Sequence, residues 1–483
     1  MYLAVIGACL VAVIAAYFAN NPLGHSRKFV MRRFLNWFPL GMTYSFLYMG
    51  RLNIIVSSKA MGALMTKETF GIITGVGTLV YAVSFVVNGP LVDRIGGKRG
   101  MLIAGFGSAV SNAMLGLLTV LVLAGRMPGH LTAAYSAVYS LNMYFQSYGA
   151  VSIIKVKAYW FHVRERGVFG AIFGSLISIG VYFAIDWSRA IVDFTGSIPA
   201  VFFVPAAIIA GWTIIDIWAV ADTPEDAGFP SFDTHDASSG LMHIDLSYLD
   251  LLKKVFLSPL MLMIAAVELT SGVFRNGIQY WYTFFAAEVP AGGSPFFVQH
   301  WGWLLCIFGI VGGFAAGFIS DKFFQSRRGP VAAILSALVL ALALVMAATL
   351  RTSPVTVGIM GVAITMCAVG ITSLMSGTAA TDFGGRKATA TCAGIVDGFA
   401  YAGSTIQSVS IGYLASINWI WWPLFLVPFA LLGLAIAIRI WLELPPATRR
   451  YIEEVESKGS GRKAGIRDPR GPAIGAEGPA PAE

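Results

Sequence analysis

Gly89-Pro-Leu-Val-Asp93-Arg94-Ile-Gly-Gly-Lys98-Arg99 is echoed further along the chain by Gly317-Phe-Ile-Ser-Asp321-Lys322-Phe-Phe-Gln-Ser-Arg327-Arg328. Each stretch starts at a glycine late in a long apolar run, then places an acid beside a base and closes on paired bases. Asp93 and Asp321 are 228 positions apart, Arg51 and Arg275 are 224 apart, and Arg166 and Arg386 are 220 apart. Three features at nearly one offset mark an internal repeat. The chain therefore reads as two halves of one plan laid end to end.

What surrounds these stretches sets the class. Apolar residues make up 57% of the 483 residues and charged residues 12%, against about a quarter charged in a soluble domain. Apolar runs predict spans at 2–20, 33–57, 70–92, 100–124, 131–158, 167–192, 199–221, 257–288, 298–320, 330–350, 355–380, 387–412 and 418–441. Strand-like alternation is absent, and a helix satisfies its own backbone groups in lipid, so the class is an all-α membrane protein. The expected organisation is an extra N-terminal transmembrane helix in 1–24, a six-helix half in 25–222, a cytoplasmic linker in 223–255, a second six-helix half in 256–444 and a disordered tail in 445–483. Two parallel six-helix halves related by an axis along the membrane normal are the facilitator architecture.

Charge supplies the orientation. Placing the segment after the first span in the cytoplasm puts Arg27, Lys28, Arg32, Arg33, Arg94, Lys98, Arg99, Lys155, Lys157, Arg164 and Arg166 on the inner side, with Lys253, Lys254, Lys322, Arg327, Arg328, Arg386 and Lys387. The outer loops keep only Lys59, Lys67, Arg126, Arg189 and Arg351. That bias is the positive-inside signal, so the net charge of +8 speaks for a membrane rather than for nucleic acid. The tail is expected in the cytoplasm. Residues 1–20 lack a basic stretch ahead of their apolar core, so an uncleaved helix with an outside N-terminus is favoured over a signal peptide. Cys9, Cys306, Cys367 and Cys392 lie inside apolar runs with no Cys-x-x-Cys or Cys/His cluster, which indicates neither a disulfide framework nor a metal site.

Arg51 and Arg275 fall well inside spans. An arginine at the bilayer centre costs about 2.5–3.5 kcal/mol on insertion scales, so each needs a compensating environment. Glu268, seven residues before Arg275 on the same helical face, offers one structural partner. The functional reading explains both arginines together: repeat-related guanidinium groups facing one cavity form a fork for an oxyanion, with bidentate hydrogen bonds suited to phosphate. Tyr44 and Tyr48 share the helical face of Arg51. Lys155 is expected to reach the same cavity. Asp397 and Glu268 are acids inside spans and candidates for proton coupling or charge compensation. Asp93, Arg94, Arg99, Asp321, Lys322 and Arg328, with Glu165 and Arg166, are expected to form cytoplasmic gating contacts between the halves. No phosphate-cradling Walker loop and no nucleophile–base pair occurs, which speaks against ATP-driven pumping and against an enzyme; no cofactor is expected.

From about Arg32 to Glu443 the chain resembles the organophosphate:phosphate antiporter family of the major facilitator superfamily. The likeness is carried by Tyr48-Met-Gly-Arg51-Leu-Asn53, by Phe145-Gln146 through Trp160 to Glu165-Arg166-Gly167, and by Asp222-Thr-Pro-Glu-Asp-Ala-Gly-Phe-Pro230. Arg275-Asn-Gly-Ile-Gln-Tyr-Trp281 and the stretch from Gly317 to Gly329 complete it. The resemblance implies exchange of a small organophosphate (glycerol phosphate, phosphoglycerate or sugar phosphate) for inorganic phosphate by alternating access. It also implies phosphate clamping by Arg51 and Arg275, and a cavity lining that includes Tyr44, Tyr48 and Tyr401. The chain departs from the glycerol-3-phosphate transporter at Phe85, where that carrier has a cavity lysine, and at Ile177, Leu52, Tyr280 and Cys306. Fewer charged groups then line the cavity. Two alternatives stay open: a proton-coupled symporter of another organic anion, and a transport-like sensor of sugar phosphate. The expected setting is a bacterial inner membrane, with lipid as the chain's only large partner and the monomer as the working unit.

Overall fold

The computed structural model describes residues 2–19, 21, 23–126, 129–162, 165–231, 253, 257–289, 292–324, 327–376 and 380–442. Most of the linker expected at 223–255 and the tail expected at 445–483 lie outside the described residues. So do the side chains of Arg166, Asp321 and Arg386.

The chain is built of helices in the order α1 (Tyr2–Ala19), α2 (Arg27–Met61), α3 (Lys67–Ile95), α4 (Gly97–Leu123), α5 (Leu131–Trp160) and α6 (Arg166–Tyr182). A π-helical turn at Phe183–Trp187 leads into α7 (Ser188–Thr195), which continues the line of α6, and then α8 (Ala200–Ala219) ends the first half. The second half runs through α9 (Pro259–Glu288), the short α10 (Pro295–Gln299), α11 (Trp301–Phe323), α12 (Arg328–Thr349), α13 (Pro354–Leu374), α14 (Ala380–Ile417) and α15 (Trp421–Arg439). Every span read from the apolar runs meets a helix. The starts are written locally: the hydroxyls of Ser26, Thr66, Ser258 and Ser353 accept from backbone N–H groups three residues on, and Pro259 and Pro354 open their helices.

Two boundaries differ from the apolar reading. Helix α2 begins at Arg27 rather than at 33, because Ser26 caps it and the basic residues lie within its first two turns. Helix α14 begins at Ala380, so Arg386 and Lys387 stand in its opening turns rather than in a loop. Hydropathy falls where a helix meets water or charge, whereas backbone hydrogen bonding continues through the interface.

Eight described helical segments are long and apolar enough to cross a membrane. Helices α2, α5, α9 and α14 are not among them, although each runs for 30 residues or more. These four carry Arg51, Gln146, Lys155, Glu268, Arg275 and Asp397, which lowers their hydropathy. The halves meet chiefly along α3 and α14, and along α6 and α11, while α5 also packs on α14.

Close approach of α3 and α14 depends on small residues. A Cβ at Gly71 would stand 2.6 Å from the Ser408 carbonyl oxygen, and one at Gly394 would stand 2.5 Å from that of Phe85. Backbone therefore lies against backbone across the divide, as in membrane helix pairs packed through glycine.

Candidate functional site

Helix α2 places Arg51 in its second half, fully buried. Its Nε donates to Gln146 Oε1 at 2.8 Å, and its two terminal nitrogens donate to the hydroxyls of Tyr81 and Tyr401, each at 2.5 Å. The guanidinium carbon lies 4.5 Å from the ring centres of both Tyr48 and Tyr81. Among the described residues no carboxylate is bonded to it: hydrogen bonds take the N–H groups and ring faces take the cation.

A second layer fixes the first. Gln146 donates its amide to Asn142 Oδ1 at 3.2 Å, which turns its own oxygen toward Arg51. Asn142 and Asn112 both donate to the carbonyl of Gly50, and Asn53 donates to Asn112. A polar network of α2, α4 and α5 thus holds Arg51 in place.

The equivalent residue of the other half is held differently. Arg275 on α9 is partly exposed, and its guanidinium carbon lies 5.8 Å from the Tyr401 ring centre, against 5.6 Å for Arg51. Among the described residues it has no hydrogen-bond or ion-pair partner. Glu268, one face with it, is fully buried, and neither of its carboxyl oxygens has a hydrogen-bond partner among the described residues. Asp397 on α14 accepts from the Ser376 hydroxyl at 2.5 Å. Tyr401, from the second half, hydrogen-bonds the arginine of the first and presents its ring to the arginine of the second.

Tyr44 and Tyr48 stand edge to face with ring centres 5.3 Å apart, and Tyr81, Phe85 and Tyr401 pack ring on ring beside them. The structure thus gathers Arg51, Arg275, Tyr48 and Tyr401 around one point, with Tyr44 against Tyr48. Tyr81 and Gln146 touch Arg51 as directly as any of these, yet the sequence reading gave them no role. One signal pointed to Tyr81: it lies one helical turn before Phe85, the position at which a cavity lysine is missing.

Lys155 is placed elsewhere. It donates to Asp93 Oδ1 at 2.8 Å, nine residues and so about 13 Å of helical rise beyond Gln146. The structure describes it away from the arginines, paired with the Asp93 carboxylate near the end of α3. Asp93 Oδ2 accepts from both the backbone N–H and the hydroxyl of Thr391 on α14, at 3.1 and 2.8 Å. Asp93 therefore joins the halves. Arg94, Arg99 and Lys322 are exposed, and Arg328 donates to Ser320 at 3.0 Å within its own half. Glu165 also stays within its half: it takes a bidentate pair from Arg33 at 2.9 Å, and Arg33 Nε donates to Tyr17 of α1.

Asp222, the first residue of the linker motif, accepts from the backbone N–H of Lys98 at 2.7 Å and so caps α4. Burial pushes its carboxyl above the usual range, with the N–H groups of Lys98 and Gly97 opposing. At the far ends of the helices Asp186 accepts from the backbone N–H groups of Gly302 and Trp303, and Arg189 donates to the carbonyl of Val298. The halves are thus tied at both ends.

Two helical halves, a central pair of repeat-related arginines and inter-half ties at each end define a transporter-type membrane fold. A family model for the Major Facilitator Superfamily matches residues 33–408, and the chain belongs to that superfamily. It is similar to the Glycerol-3-phosphate transporter of Bacillus subtilis, 24% identical over 78% of this chain and 84% of that protein. It is also similar to the Probable hexose phosphate transport protein of Chlamydia pneumoniae, 24% identical over 85% and 91% of the two chains. The Membrane sensor protein UhpC of Salmonella typhimurium is 25% identical over 88% and 95%.

Proposed function

We propose that this protein exchanges a small organophosphate for inorganic phosphate by alternating access across a bacterial plasma membrane. The observation that carries the reading is the convergence of Arg51 and Arg275, one from each half, on Tyr401. An oxyanion between them would replace the aromatic contact of Arg275 with a bidentate charge-assisted pair, and would compete with Tyr401 for Arg51. Binding then draws the two halves onto one ligand, which is the requirement for coupling occupancy to a change of state. Tyr44, Tyr48, Tyr81 and Gln146 shape and polarise the chamber. Asp397 and Glu268 balance its charge. Asp93 with Thr391 and Lys155 closes the inner end, where Arg94, Arg99, Lys322 and Arg328 supply basic charge.

The names of the relatives support a phosphorylated substrate, and with Phe85 in the chamber a compact one fits best. The test is counterflow of labelled phosphate from proteoliposomes, driven from outside by glycerol-3-phosphate, hexose phosphates or phosphoglycerates. One phosphorylated compound is expected to drive exchange, while non-phosphorylated acids leave it at background. Folded protein that moves no phosphate under any of them overturns the exchange. A sensor is the second reading, favoured by the near full-length likeness to a membrane sensor protein; it requires tight binding of one sugar phosphate with no net flux.

A further inference from the structure

At the end of the helices remote from Asp93 and Thr391 lies a cavity of about 650 Å³ lined by Lys67, Glu288, Arg351, Thr352, Asn418 and Trp419, among others. Its volume falls within the range of small-molecule sites. Lys67 opens α3 of the first half, whereas the other five belong to the second. Lys67 Nζ lies 2.5 Å from Glu288 Oε2 and 3.2 Å from the Ala415 carbonyl, and it sits 4.9 Å from the centre of the Trp419 ring. Trp419 in turn donates its indole N–H to the same Glu288 oxygen at 3.1 Å. Arg351 is exposed and, among the described residues, donates only to the side-chain oxygen of Asn418, at 3.4 Å.

We infer that this vestibule is an entry site for phosphate-bearing anions, in which Glu288 holds the place the anion takes. The chamber wall offers two cations and one carboxylate, and that carboxylate is already spent on Lys67 and Trp419. Glu288 is 41% exposed, whereas Lys67 is 14% exposed. Water therefore receives the released carboxylate readily, while Lys67 stays covered and keeps a partner throughout. An arriving phosphate takes up Lys67 and the indole N–H, and Arg351 supplies the second charge that Glu288 never satisfied. Because Lys67–Glu288 crosses between the halves, the exchange of one anion for another also loosens the tie at this end. Capture and opening are then one event. The inference rests on the proposed function for the purpose of the site, but not for its occupancy.

The test reads occupancy directly. An environment-sensitive fluorophore is attached to Ser416→Cys at the cavity wall, in a Cys9→Ser background, with the protein in phosphatidylcholine nanodiscs. Inorganic phosphate and glycerol-3-phosphate are titrated against choline chloride of equal ionic strength. A saturable response is expected that persists in Arg51→Gln, weakens at least tenfold in Lys67→Gln and in Arg351→Gln, returns in Lys67→Arg, and tightens in Glu288→Gln. Adding phosphatidylglycerol separates the two sources of phosphate: a free anion site keeps its affinity, whereas a lipid headgroup site shows its response to the lipid instead. No saturable response to either phosphate or lipid in monodisperse protein overturns the inference. So does a response abolished by Arg51→Gln and untouched by Lys67→Gln and Arg351→Gln. The readout is binding and not flux, so a failure of exchange in liposomes leaves it standing, and its own failure leaves the central arginines untouched.

Discussion

Arg51 donates to Gln146, Tyr81 and Tyr401, whereas among the described residues Arg275 reaches only the face of the Tyr401 ring. Positions equivalent in the repeat thus have unequal tasks: one guanidinium is anchored and the other is available. Arg275→Lys removes the planar fork but no hydrogen bond among the described residues. It is expected to weaken phosphate binding at least tenfold, about 1.4 kcal/mol, with an unchanged melting temperature. Arg51→Lys leaves buried hydrogen-bonding groups unsatisfied and should cost stability as well, about 1–3 kcal/mol. Calorimetric titration and thermal unfolding in detergent separate the two. Equal destabilisation by both substitutions would remove the distinction. The spacing of the arginines was legible because a cation inside an apolar run stands out. Gln146 was not, since glutamine in a helix carries no such contrast, and Tyr81 was marked only by its spacing from Phe85; the fold alone brings α3 and α5 to α2.

At the scale of elements, α3 and α14 are the seam. Gly394 faces the carbonyl of Phe85 and Gly89 faces that of Ala390, so each helix offers glycine where the other presents backbone. Gly394→Leu adds a side chain to a contact with no room for Cβ. Overpacking of this kind costs about 1–3 kcal/mol or drives the elements apart. Exchange is expected to fall more than tenfold while helical content holds, measured by proteoliposome counterflow and circular dichroism. Retention of the full rate would show that the seam yields without cost. The glycines of the Asp93 stretch were visible in the sequence, and the repeat made them notable. That Gly71 and Gly394 serve the same seam was not visible, because a helix meets its partner along a face whose direction depends on every other helix.

For the whole molecule, the ties at the two ends decide which states are reachable. Asp93 grips Thr391 at one end, and Asp186, Arg189 and Lys67 bridge the halves at the other. Opening toward one side needs only one set to part. A disulfide between Asp93→Cys and Thr391→Cys should hold that end shut and abolish exchange, with recovery on reduction to the level of the reduced double variant. Exchange that proceeds through the oxidised, cross-linked protein would mean that this end does not part.

By itself the sequence determined the class, the helices, the repeat and the two arginines, all of which follow from local composition and spacing: an apolar run must cross lipid, and a buried cation must have a reason. The tertiary structure alone decided which side chains share a point. It drew Lys155 to Asp93 and away from the arginines, joined Glu165 to Arg33 of its own half, and left Arg275 without a hydrogen-bond partner among the described residues while Arg51 makes three. Those outcomes depend on the register between helices distant in sequence. Register is set by packing across many contacts at once, and no single stretch of the chain encodes it.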